Sequence, residues 1–205
     1  MLRGEVPKRD GGHASEVLLA LELAVLAASV FLCALASMVD PWPQLALLAL
    51  LFVTFSSILL LLGQLSVVDI QRRLLPTALV RPLQIAFLAF NLQICAFSSV
   101  GATALELFAR AACASLIGCG AMLAILLVVA LLSRGGGEAP IGGGDIRMGM
   151  AIGLGLGAES ILVLAAACVI GIAYSAIARK GTFPMGPCLA APSALLMVLS
   201  VAAAL

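Results

Sequence analysis

The sequence predicts an all-α fold, a polytopic bundle of about six or seven transmembrane helices with a cytoplasmic N-terminus. Three observations carry this. Of the 205 residues, 63% are hydrophobic and 10% are charged, whereas a soluble domain is about half apolar and about a quarter charged. The apolar residues fall in runs long enough to cross a bilayer, which takes about 20 residues. Lys and Arg collect in alternate loops, the bias that sets orientation in a membrane.

The predicted spans, in order, are Val17–Met38, Gln44–Val68, Pro82–Val100, Leu105–Leu132, a short glycine-interrupted Asp145–Gly157, Ser160–Ala178 and Pro187–Leu205. Residues 1–16 are a polar cytoplasmic arm, and 17–205 form one membrane-embedded domain. The first apolar run is of full spanning length, so it reads as an uncleaved helix rather than a signal peptide. Asp40-Pro41-Trp42-Pro43 is a turn, and Gly101-Ala102-Thr103 is a break. The stretch Asp69 to Arg81 reads as a loop, as do Ser133 to Gly144 and Arg179 to Pro184.

Alternating spans put Arg3, Lys8, Arg9, Arg72, Arg73, Arg81, Arg134, Arg147, Arg179 and Lys180 on one side. The opposite loops carry Asp40 and Glu159 but no basic residue. Arg110, inside the fourth span near Glu106, is the exception. The basic side is the cytoplasmic one.

Several function classes are excluded at this point. A net charge of +1 argues against a nucleic-acid partner. The six cysteines form no C-x-x-C pair and sit mostly in apolar runs, so neither a zinc site nor a disulfide framework is expected. His13 is the single histidine and lies in the polar arm. A Ser-His or Cys-His arrangement would have to recruit it across the membrane surface. No metal or other cofactor is expected, because two acids and one remote histidine make a poor ligand set.

One stretch concentrates unusual features. Gly142-Gly143-Gly144-Asp145 fits the pattern G-x-G-D and opens an apolar segment. A carboxylate where a chain enters a membrane is costly, so function is its default reading. Glycines there let the backbone approach a substrate or another helix closely. Asp69, in Val67-Val68-Asp69-Ile70, ends another apolar run on the same predicted side. Two carboxyls held close share a proton. One can then take a proton from an attacking water while the other donates to the scissile carbonyl or its leaving nitrogen. Each acid also has a structural reading. Asp145 could be a helix N-cap, and Asp69 could pair with Arg72 or Arg73 at little energetic value.

Three stretches resemble the type IV prepilin peptidases, membrane aspartyl proteases of the G-x-G-D class. Asp69-Ile70-Gln71-Arg72-Arg73-Leu74-Leu75-Pro76 resembles the family's first motif. Gly142-Gly143-Gly144-Asp145-Ile146-Arg147-Met148 resembles the second, and Phe183-Pro184-Met185-Gly186-Pro187 a third. The resemblance implies that Asp69 and Asp145 are the catalytic pair. It implies substrate-binding or loop-shaping roles for Pro76, Gly142, Gly144, Arg147, Pro184, Gly186 and Pro187. It implies a multi-pass protein of the bacterial inner membrane, whose partners are the lipid bilayer and a prepilin or pilin-like secretion subunit with a basic leader. With no C-x-x-C pair, the chain resembles the compact, peptidase-only form. Two other readings stay open here, a proton-coupled transporter and a non-catalytic assembly factor.

Overall fold

The computed structural model describes residues 11–36, 41–72, 76–98, 102–132, 142–178 and 185–204. These form α1 (Gly11–Ala36), α2 (Pro41–Arg72), α3 (Thr77–Ser98), α4 (Ala104–Leu132), α5 (Gly143–Leu156), α6 (Ser160–Ala178) and α7 (Met185–Ala204). A 3-10 turn, Gly157–Glu159, joins α5 to α6. Helices follow from the solvent: hydrocarbon offers the backbone no hydrogen bonds, so each segment must satisfy its own.

Five stretches among the described residues are long and apolar enough to cross a membrane, namely 44–71, 78–98, 104–131, 143–177 and 185–204. The fourth runs through α5, the turn and α6, and the chain reverses inside it. Gly186, at the start of α7, donates its N–H to Asp69. Ser200, about 21 Å further along α7, donates to Glu159 in the turn. The turn is therefore at the end of the bundle away from Asp69. Were α6 to continue outward, Ala178 would stand roughly 50 Å from Met185's end. The seven links between those residues reach about 25 Å at most. So α6 must run back, packed against α7. Gly157 makes the reversal with φ +57°, a left-handed conformation that costs glycine little. The Ser160 hydroxyl secures it by donating to the Gly157 carbonyl at 2.7 Å.

Two sequence-based boundaries need correction. The helix that was expected to stop at Val68 continues to Arg72, and α3 starts at Thr77 rather than Pro82. Asp69 is thus helical, and the expected Asp69–Arg81 loop shrinks to a few residues. Polar residues such as Gln71 continue a helix once it leaves the hydrocarbon, so hydropathy alone marks the end too early. Pro82 lies inside α3, where it removes one backbone hydrogen bond, a loss that membrane helices tolerate. In addition, α1 begins at Gly11, extending helix into the polar arm. Thr103 caps α4: Glu106 N–H donates to its hydroxyl at 3.4 Å, and Thr103 N–H donates back to Glu106 Oε2 at 3.0 Å.

The outer surface is apolar. Ile177 is 85% exposed and Leu105 80%, which is the face a bilayer covers. The core is built from Phe87, Phe90, Met122, Leu126, Met148 and Ile152, among others. Because lipid is as apolar as the core, hydrophobicity does not drive these helices together; close packing and internal hydrogen bonds do. A Cβ on Gly118 of α4 would overlap the backbone of Gly153 and Gly157, and one on Gly155 would overlap the Phe87 ring. Asn91 of α3 then stitches three helices. Its Nδ2 donates to the Ala111 carbonyl at 3.0 Å, the Ser115 hydroxyl at 2.7 Å and the Leu154 carbonyl at 3.2 Å. A cavity of about 400 Å³ opens beside the turn, lined by Phe90, Asn91, Glu159 and Ser200 among others.

Candidate active site

Asp69 sits in the last turn of α2 and is 6% exposed. Its Oδ2 accepts the Gly186 N–H at 2.8 Å. Gly186 is the second residue of α7, so that N–H is one of the first-turn donors with no partner inside the helix. The positive end of the helix dipole faces the same carboxyl. Asp69 thus caps α7 from another helix. Glycine is required at this contact, because a Cβ on residue 186 would stand 2.9 Å from Asp69 Oδ2 and 3.0 Å from Asp69 Cβ.

Asp145 is the third residue of α5 and is half-buried. Its Oδ2 accepts the Gly142 N–H at 3.2 Å. Asp145 N–H and Ile146 N–H both donate to the Gly142 carbonyl, at 3.1 and 3.3 Å. This is one half of a capping box; a glycine at the cap has no side chain to supply the other half. The carboxyl is tethered to its own helix start, but from the third helical position: the N-cap is Gly142, not Asp145. It also lies within electrostatic range of Asp69. The end of α2 and the start of α7 therefore meet at Asp69, and α5 packs against α7.

The other residues singled out in the sequence distribute as follows. Gly142 is exposed and Gly144 half-buried beside Asp145. Arg147 is exposed on α5. Pro76 immediately precedes α3, its carbonyl accepting the Leu79 N–H at 3.1 Å. Pro187 is in the first turn of α7, where its missing N–H is no loss. Pro184 lies outside the described residues. Cys188 was read only as packing. It is 4% exposed and lies within electrostatic range of Asp69. Its position two residues after Gly186 on α7 was the available clue, but using it required knowing that α7 meets α2. Among the described residues no cluster of three or more His, Cys, Asp or Glu could hold a metal.

Fold and site together define a class: a polytopic α-helical membrane protein with one acid at the end of α2 and another at the start of α5. A family model, the type IV leader peptidase family, matches residues 56–176. That stretch is more than half of the chain and contains both Asp69 and Asp145. The chain belongs to the type IV leader peptidase family and is a membrane-embedded peptidase of that kind. No curated protein and no solved structure matches.

Proposed function

We propose that this protein is an aspartic endopeptidase that removes the basic leader of type IV prepilins, or of pilin-like secretion subunits. The cut is made at the cytoplasmic face of the bacterial inner membrane. One observation supports the reading: Asp69, at the end of α2, accepts an N–H from the start of α7, and its charge acts on Asp145 at the start of α5. The side of the membrane rests on the arginines near that end.

In this reading one carboxylate takes a proton from water, and the water oxygen bonds to the scissile carbonyl carbon. The other carboxyl, protonated, donates to the carbonyl oxygen; as the C–N bond breaks, the first carboxyl passes the proton it took from water to the leaving amine, and the second recovers its proton as the carbonyl re-forms. The two titrate as a pair, so acid and base are not divided between them. Gly186 N–H fixes the direction of the Asp69 carboxyl, and Gly142 N–H that of Asp145. Holding both before substrate arrives lowers the cost of aligning them during reaction.

The test uses purified protein in liposomes and a peptide with a basic leader, a glycine and an apolar helix. Asp69→Asn and Asp145→Asn should each abolish cleavage while leaving insertion and melting temperature unchanged. Near-normal cleavage by either variant would end the assignment.

A further inference from the structure

A second polar centre lies away from the aspartates, where α1, α2 and α3 meet. Among the described residues, two buried side-chain oxygens lack a hydrogen-bond partner: Glu22 Oε2 and Gln93 Oε1. Both residues are sealed, Glu22 at 1% exposure and Gln93 at 0%. Gln93 Nε2 donates to Ser29 Oγ at 2.7 Å and to Thr54 Oγ1 at 3.0 Å. Those hydroxyls donate in turn to the Val25 and Leu50 carbonyls, at 2.8 and 2.9 Å. Turning the amide over would set its carbonyl against two hydroxyls whose protons are already committed. The orphaned atom is therefore the amide oxygen, an acceptor. The Ser57 hydroxyl engages the Glu22 carboxyl.

We propose that Glu22 and Gln93 form an internal binding site for a small monovalent cation, Na+ in the first instance. An unpaired acid inside a membrane is a functional site until a partner is found. Here two unsatisfied oxygens lie where α1, α2 and α3 pack together, and one of them belongs to an acid. Water would satisfy both oxygens and leave the charge uncompensated. A divalent ion against one carboxylate would leave a buried excess of positive charge, at high cost. A monovalent ion balances the charge and serves both oxygens.

The spacing suits it. Ser57, which holds the acid, and Thr54, which holds the amide, are one turn apart on α2, about 4.5 Å. A cation of the size of Ca2+, which Na+ matches, takes oxygen ligands at about 2.3–2.6 Å, so an ion serving both oxygens belongs between these neighbouring turns of α2. A direct acid-to-amide hydrogen bond needs about 2.7 Å. The ion would fasten α1 to α2 and α3, without contact with the aspartates.

The test uses the purified full-length Asp69→Asn/Asp145→Asn protein, so that the catalytic carboxyls cannot supply the signal. Saturable 22Na+ binding is expected, unaffected by excess choline, and weakened by about tenfold or more in Glu22→Gln and in Gln93→Leu. Melting temperature should rise with NaCl relative to choline chloride at equal ionic strength, and this rise should vanish in both variants. Ser57→Ala, a milder change, should weaken binding if Glu22→Gln does not fold. Absence of saturable binding, or equal binding in the variants, would overturn the proposal. So would a stability that follows pH but not Na+, which would give the site to a proton alone.

Discussion

Asp69 and Gly186, 117 residues apart, are joined by a 2.8 Å hydrogen bond from backbone to carboxylate. The bond ties the end of α2 to the start of α7 and fixes one of the two acids. It also sets a steric limit, since the smallest side chain on residue 186 would press on the carboxyl.

Gly186→Ala should therefore lower cleavage without unfolding the bundle. A hydrogen bond to a charged group contributes about 1.5–3 kcal/mol, so kcat/KM should fall by roughly 10- to 100-fold. Steady-state kinetics on the leader peptide, beside a melting curve, would measure this. A variant with full activity would show that the contact does not orient Asp69 for catalysis.

The two acids should be within crosslinking reach. With Asp69→Cys and Asp145→Cys in a protein otherwise free of cysteine, a short bifunctional thiol reagent should join α2 to α5. Mass spectrometry of the digest would identify the linked peptides. Failure to crosslink, with each thiol separately reactive, would rule out a shared water between the carboxyls.

Packing of α4 on α5 supplies a paired test. Gly118→Leu forces a side chain into the backbone of Gly153 and Gly157, whereas a Cβ on Gly120 meets nothing within 4 Å. Overpacking costs about 1–3 kcal/mol, so the first variant should melt several degrees lower. Gly120→Ala should be neutral or stabilising by up to about 1 kcal/mol through helix propensity. Equal effects at both positions would mean that α4 and α5 do not approach as described.

Chelators and thiol reagents should leave cleavage intact. Cys188 lies near Asp69 but is buried, while Cys113 and Cys168 are exposed. In detergent, a maleimide should modify the exposed pair and spare Cys188, as read by mass spectrometry. Loss of activity on chelation, restored by zinc, would contradict the two-carboxyl chemistry.

The glycine-rich entry to α5 and its short length were readable from residue types alone, because glycine and a lone acid stand out against an apolar background. So were most spans, since twenty-odd apolar residues leave little choice. The helix through Asp69 was not readable, because the apolar run ends at Val68 while helical geometry continues. Contacts between helices were less accessible still. In a soluble helix, periodicity marks the buried face; here lipid and core are equally apolar, and the stripe is lost. Asn91 and Gln93 looked alike as isolated polar residues. Only the packed structure assigns one to α4 and α5, and the other to α1 and α2. Nothing in the sequence links Glu22 to Ser57, because they lie on different helices.

The brevity of α5 has a consequence for the membrane itself. Its 14 residues extend about 21 Å, while a hydrocarbon core is about 30 Å thick. The cavity beside Glu159 lies at the turn end of α5, and Asp145 lies at the opposite end. The depth of that carboxyl is thus governed by acyl-chain length as well as by the protein. A thicker bilayer sinks the acid further beneath the headgroups, and the bilayer must thin or the helix shift at a cost of fractions of a kcal/mol per Å. Under the two-carboxyl mechanism proposed above, the rate of cleavage should vary with the acyl-chain length of the surrounding lipid, even if no lipid touches either aspartate.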